Sequence, residues 1–260
     1  MWLNLAKVEE HLSTRFVGRR IVYLTSTTST MDVARQGAEA GAPDGTIVFA
    51  EEQTKGRGRF DRAWVSPSGK NLYLTLVIRP PLGRLRSLGI IAPLAVALAV
   101  EDSTGLRPRI KWPNDVLIDG RKLSGVLIES EISGSAVEYA LVGPGINVNF
   151  DIKQSPEIAA IATSIKRELG REASREELLA AFLNHFEALY EDAVAGDDVP
   201  FYSWKDRLVT LGRDVTATGG GTVIKGRAVD VAEDGALLIQ QPNGKKVRVD
   251  AGDVTLSTRG

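Results

Sequence analysis

No cysteine occurs among the 260 residues. That absence excludes disulfide staples, thiolate metal sites and thioester intermediates together. Histidine is nearly as scarce. Only His11 and His185 are present, which argues against a histidine-based triad or a zinc site. Charge of one sign is also lacking: 32 Lys and Arg stand against 33 Asp and Glu, a formal net charge of −1. A balanced chain has no overall attraction to nucleic acid or anionic membrane, so any cationic function must be local. The longest apolar stretch, Gly89 to Val100, contains Pro93 and reads as too short to cross a bilayer. The opening residues lack the charged and apolar regions of a signal peptide. A soluble, cytoplasmic protein is therefore expected. No G-x-x-x-x-G-K-[ST] or G-x-G-x-x-G sequence is present, against a Walker-type or Rossmann-type nucleotide site. Internal repeats and low-complexity segments are absent as well.

What is present is ordinary globular material, 43% apolar, enough for a substantial core. Trp2, Leu5, Val8, Leu12 and Phe16 recur at helical spacing and predict an opening helix. Strands are expected at 21–24 and 46–50, with a helix between them that Gly41 and Pro43 would stop. Residues 71–78 alternate as a strand, and 87–101 is apolar almost all round, as in a buried helix. Strands follow at 115–118, 122–130 and 137–147, the first two joined by the hairpin signal Asp119-Gly120. Hairpin-linked neighbours predict a mixed, largely antiparallel sheet with flanking helices, an α+β fold, rather than a doubly wound parallel one. Helical patterns cover 157–169 and 174–195, the second opening with Ser174 three residues before Glu177, a capping-box spacing. After about residue 206, five short strand-like runs are punctuated by Gly219–Gly221, Asp234-Gly235 and Asn243-Gly244, which suggests a small SH3-like β-barrel. The expected division is 1–205 for a principal domain and 206–260 for this appendage.

Three segments carry chemistry. The octapeptide from Lys55 to Arg62 places four cations within eight residues, interleaved with Gly56 and Gly58 and followed by Trp64. Glycine lets backbone N–H groups approach an anion, and arginine offers a planar fork to carboxylate or phosphate. With no apolar anchor before Phe60, the loop is expected to stay mobile until an anion fills it; a plain solvated basic loop remains open. The second segment, Lys111 to Asp115 with Arg121 to Gly125, puts two lysines on opposite arms of a hairpin, and an ordinary surface hairpin would look the same. The third, Gly143 to Asn147, leaves room for a flat ligand at a strand end, or is simply a bulge.

Taken in order, Ser29-Thr30, Gln53, the Gly56–Arg59 loop with Arg62 and Trp64, Asn71 to Tyr73, Lys111 to Asp115, Arg121 to Leu123, and Gly143 to Asn147 resemble the biotin–protein ligases. The resemblance spans roughly residues 20–150 and extends weakly into the C-terminal region. It implies a class II synthetase-like catalytic domain that makes biotinyl-5′-AMP from biotin and ATP, with Mg²⁺, and transfers biotin to a lysine of a biotin carboxyl carrier protein. By the same resemblance Ser29, Thr30, Met31, Gln53, Gly143 and Gly145 would surround biotin. Met31 stands where this family often has asparagine. Arg57, Gly58 and Arg59 would close over biotin and its adenylate, and Lys111 would lie beside the reacting carboxylate and phosphate. Arg62, Trp64, Lys122 and Asn147 would hold ATP. Lys111 and Arg59 would be the catalytic pair. A lipoate ligase or octanoyl transferase is disfavoured because no Arg-Arg-x-x-Gly-Gly-Gly motif occurs. About 25 residues precede the Ser-Thr motif, too few for a three-helix DNA-binding domain, so a monofunctional enzyme without specific DNA binding is expected, with a homodimer left open.

Overall fold

The computed structural model describes residues 2–219 and 222–256; Gly220 and Gly221 of the glycine-rich turn and the terminal residues 257–260, including the end of the last expected strand, lie outside the described residues. A seven-stranded sheet forms the main body. Its strands are β1 (Ile21–Leu24), β2 (Ile47–Ala50), β3 (Leu72–Ile78), β4 (Arg109–Lys111), β5 (Asp115–Ile118), β6 (Arg121–Ser133) and β7 (Ala136–Ile146), in the order β1-β2-β3-β7-β6-β5-β4. Only the β1–β2 pair is parallel; the other five pairs are antiparallel. The mixed, largely antiparallel α+β sheet read from the hairpin signals is therefore what forms.

The two faces of the sheet differ, and that difference places the site. Leu72, Leu74, Leu76 and Ile78 of β3 join Ala140, Val142 and Ile146 of β7 in one core with α3 (Leu88–Thr104). α5 (Arg175–Ala195) packs along α3, and Phe182 and Phe186 of α5 are fully buried. Truncating such a phenylalanine typically costs about 3–5 kcal/mol. On the opposite face, α2 (Thr30–Glu39) lays Met31, Ala34 and Ala38 over Val48, Val77 and Leu141. α2 spans only the β2–β3–β7 part of that face. Beyond its N-terminus the sheet surface carries Gly143, Gly145 and Gly125 and, among the described residues, has no helix over it.

Several expectations change on contact with the fold. The opening helix α1 (Leu5–Glu10) is only six residues long, although apolar spacing runs on to Phe16. The amides of Arg15, Phe16 and Val17 bond the Glu187 carboxylate of α5 instead of helical carbonyls, so the chain turns away. The helix expected over 157–169 shrinks to α4 (Ile165–Leu169). Its first half is drawn to β6, where Lys122 N donates to Ile161 O and Thr163 N donates to Lys122 O. β4 and α6 (Val199–Lys205) were not anticipated. The apolar helix is also longer than Gly89–Val100: with the 3₁₀ turn before it, Leu82–Thr104 is long and apolar enough to cross a membrane by composition, and it is the mostly buried centre of the core.

Residues 214–256 form a separate antiparallel sheet of β8 (Asp214–Gly219), β9 (Thr222–Val231), β10 (Leu237–Gln240), β11 (Lys246–Val249) and β12 (Asp253–Leu256), ordered β11-β10-β9-β8-β12. It is anchored to the main body through Trp112, whose indole Nε1 donates to Gly235 O at 2.8 Å. The segment before it pairs with the sheet edge, Ile110 N donating to Arg207 O and Val209 N to Ile110 O.

Candidate active site

The helix-free sheet surface floors a cavity of about 1000 Å³, roofed by the Lys55–Arg62 loop and walled at one end by β12. Every residue to which the resemblance gives a role lines it: Ser29, Thr30, Met31, Gln53, Arg57, Gly58, Arg59, Arg62, Trp64, Lys111, Lys122, Gly143, Gly145 and Asn147. The cavity has two chemically distinct ends.

The end next to α2 is neutral and internally satisfied. Ser29 caps α2 by accepting from Met31 N, so the first turn presents Thr30 to the cavity. Gln53 Oε1 accepts from Thr30 N at 2.9 Å and from Thr30 Oγ1 at 3.1 Å. Gln53 Nε2 donates to Ser66 Oγ at 3.1 Å, and buried Thr75 Oγ1 donates to Thr30 Oγ1 at 2.9 Å. Behind this chain lies a buried ion pair, Glu51 with Arg175, at 2.7 Å. Burial by itself would raise the Glu51 carboxyl, but the Arg175 guanidinium, the Leu3 amide and the Tyr23 hydroxyl outweigh it and hold the group below its ordinary value. Burial pushes the Tyr73 phenol far above its usual range, so it stays protonated and donates to Pro67 O.

The other end is cationic and held by ion pairs. The Gly-Arg loop is a small hairpin: Gly58 N bonds Arg62 O and Trp64 N bonds Gly56 O, with Phe60 left-handed at its tip. Phe60 is 56% exposed, so apolar packing does not anchor the loop. The arginines tie it to neighbouring elements. Arg57 reaches Asp32 of α2 at 2.6 Å, and Arg62 pairs with Asp253 of β12. Arg59 Nη1 donates to Asn114 Oδ1 at 3.2 Å and to Gly252 O at 3.1 Å. Burial lowers the Arg59 guanidinium from its ordinary value, against the pull of Asp253 and Asp115.

The two lysines do not sit on opposite arms of one hairpin. Lys111 lies on β4 and Lys122 on β6, with β5 between them. Asp115 of β5 faces Lys111 in the strand register and ion-pairs Lys122 at 2.6 Å. Lys111 itself has no ion pair among the described residues. The glycine pair lets two side chains approach the strand closely. A Cβ on Gly143 would meet Met31 Sδ at 2.7 Å, and one on Gly145 would meet the Trp64 indole at 2.6 Å. Met31 and Trp64 thus fill the space the glycines leave. The Trp64 indole lies beneath Lys122 Nζ, 5.4 Å from its ring centre, and its Nε1 has no hydrogen-bond partner. Asn147 is almost fully buried and acts as a clamp: Nδ2 donates to Thr163 O, and Oδ1 accepts from Asn71 Nδ2 at 3.4 Å.

Sequence reading missed Thr75, Ser66, Arg107, Arg109, Arg213 and Asp253. Asn114 and Asp115 stood in a recognised motif but had no role assigned. Nothing local marks Arg213 or Asp253, which the fold brings in from the C-terminal sheet.

Residues 23–147 match the biotin/lipoate A/B protein ligase family, and residues 210–257 match the biotin protein ligase C-terminal domain. The chain is 32% identical over 258 residues to the bifunctional ligase/repressor BirA of Bacillus subtilis, covering 98% of this chain and 79% of that one. It is 34% identical over 211 residues to the biotin–[acetyl-CoA-carboxylase] ligase of Paracoccus denitrificans, covering 77% of this chain and 86% of that one. The biotin protein ligase of Aquifex aeolicus, solved in complex with biotin and ATP, is similar at TM-score 0.78 and 29% identity over 93% of this chain and 100% of that chain.

Proposed function

The chain belongs to the biotin protein ligase family, and from that premise we propose that it activates biotin with ATP and passes the biotinyl group to one lysine of a biotin carboxyl carrier protein. The observation that carries this reading is the single cavity with a neutral amide-and-hydroxyl end joined to a cationic end. Biotin is itself built this way, a neutral ureido ring system on a chain that ends in a carboxylate.

In the proposed chemistry, Thr30, Gln53 and Ser29 border the ring system, with Met31 and Trp64 as its apolar walls. Lys111 then meets the carboxylate. A carboxylate oxygen attacks the α-phosphorus of ATP and forms the mixed anhydride. The bond from the α-phosphorus to the bridging oxygen breaks, and pyrophosphate leaves with the electron pair. Two anions must approach for this to happen, and fixed cations already in place lower that barrier. Arg59, held over the cavity by Asn114 and Gly252, keeps water from the anhydride. In the second step a neutral lysine amine attacks the acyl carbon and forms the amide, AMP departs with the electron pair, and the amine gives up its proton.

Among the described residues no cluster of three metal-ligating side chains occurs. Of the cavity carboxylates, Asp115 pairs with Lys122 and Asp253 with Arg62, which leaves Asp119 as the one carboxylate to meet Mg²⁺ arriving on phosphates. Mg²⁺ would come as part of the nucleotide substrate and neutralise phosphate charge. We place the catalytic unit at 1–205 and the accessory unit at 206–260, which supplies β12 as the far wall. Residues 2–28 form one six-residue helix, packed on α5, and one four-residue strand, and we propose no DNA-binding role for this segment.

The test is transfer of radiolabelled biotin to a carrier domain, to the same domain with its acceptor lysine changed to arginine, and in competition with lipoate. Label on the first alone, undiminished by lipoate, is expected. Label on the lysine-free domain, or displacement by lipoate, would contradict the proposal.

A further inference from the structure

Eight cationic side chains line the cavity against three aspartates, although the whole chain is almost neutral. These cations fall into two classes. Arg57, Arg62 and Lys122 are each matched by an aspartate, and Arg59 is spent on Asn114 and Gly252. Arg107, Arg109, Lys111 and Arg213 have no ion pair among the described residues; Arg109 donates only to the Asp206 carbonyl, at 3.0 Å.

The unmatched cations are arranged as a row. Residues 107 to 111 alternate between exposed or half-buried cations and the buried Pro108 and Ile110, so Arg107, Arg109 and Lys111 share one side of the edge strand β4. An extended chain spreads them over about 13 Å. Burial grades along the row, from half-buried Lys111 to exposed Arg109 and Arg107. Arg213 and Thr255 line the same cavity, and Val209 lies alongside β4, its N–H donating to Ile110 O. Like charges so close, in a concavity and without counter-ions, repel one another until an anion joins them.

We propose that this row is a pyrophosphate track. It receives the leaving group beside Lys111 and lets it depart between β4 and the C-terminal sheet while the Gly-Arg loop stays fastened to β12. The inference rests on the adenylating function proposed above. Its physical motive is a conflict in that chemistry: the anhydride must stay shielded from water, yet the second product of the same step has to leave. The loop's fastenings, at Asp32, Asn114, Gly252 and Asp253, involve none of the four unmatched cations. The two requirements are thereby separated in space. Concavity and contiguity with Lys111 favour a small polyanion over the acidic face of a carrier protein.

The experiment loads the full-length protein with biotin and ATP, then adds inorganic pyrophosphate and follows reversal of bound biotinyl-5′-AMP to ATP. The parent is compared with Arg109→Gln, with Arg107→Gln/Arg213→Gln, and with Arg15→Gln as a surface-charge control outside the cavity. The double variant is expected to need at least about tenfold more pyrophosphate for half-maximal reversal, with unchanged biotin affinity and no faster loss of adenylate to water. The Arg15 variant should match the parent. Half-saturation within twofold of the parent would overturn the track. So would a raised KM for the carrier with pyrophosphate unaffected, which would assign the row to an acidic partner, or leakage of adenylate, which would assign it to the loop. If the parent makes no adenylate, the proposed function falls, and calorimetric titration of pyrophosphate into parent and double variant still decides the row: equal binding refutes it.

Discussion

The neutral end and the cationic end of the cavity are built from the same kinds of interaction but at different depths. At the neutral end Thr75, Thr30 and Ser66 are buried and half-buried Gln53 links Thr30 to Ser66, backed by Glu51 and Arg175 at 0% and 5% side-chain exposure. At the cationic end Arg57 and Asp32 are 38% and 40% exposed, and Arg62 is 71% exposed. Buried pairs are costly to break because the survivor is left charged in a poor solvent, whereas exposed pairs are readily exchanged. One end is thus a preformed shape, and the other is held by exposed pairs of small individual weight.

The comparison can be broken most severely behind the neutral end. Arg175→Met strands Glu51 and is expected to cost about 3–5 kcal/mol of stability by denaturant unfolding; a loss under 1 kcal/mol would mean the pair is not the support described. Next comes Lys111→Ala, expected to slow adenylate formation by about 10²- to 10³-fold at saturating substrates, as for a lost transition-state charge partner. Near-normal single-turnover rates would remove Lys111 from the chemistry. Thr30→Val leaves Gln53 Oε1 without one donor and Thr75 Oγ1 without its acceptor. A cost of about 1–3 kcal/mol is expected, appearing as weaker biotin binding in calorimetry with ATP affinity little changed. The smallest effect belongs to Asp32→Asn, which removes the partner of Arg57 in a half-exposed pair. Stability should move by less than about 1 kcal/mol, and ATP affinity should hold or improve because a competing carboxylate is gone. A large fall in ATP affinity would show that Asp32 positions Arg57 for the nucleotide.

How far the sequence disclosed this molecule depended on the range of the interactions. Asp119-Gly120 announced the β5–β6 hairpin, and Asp234-Gly235 and Asn243-Gly244 announced turns in the C-terminal sheet, because a left-handed turn is a local requirement. β4 went unseen: three residues between Pro108 and Trp112, two of them charged, carry no apolar rhythm, and pairing with β5 and the 207–209 segment makes them a strand. α1 was overextended because Glu187, some 170 residues away, claims the amides that would have continued it. In the site, the whole motif set converged on one cavity, yet its closure was illegible. Arg59 and Gly252 are 193 positions apart, and no local pattern in the C-terminal segment distinguishes Asp253 from any other surface aspartate.

The central claim is that the joined cavity makes an acyl adenylate from biotin. Its most direct measurement is mass spectrometry of the small molecules released from the protein after incubation with biotin, ATP and Mg²⁺ but no carrier. The account predicts about one biotinyl-5′-AMP per chain and no comparable adenylate when lipoate replaces biotin. Absence of the biotin adenylate, or equal yield from lipoate, would contradict it.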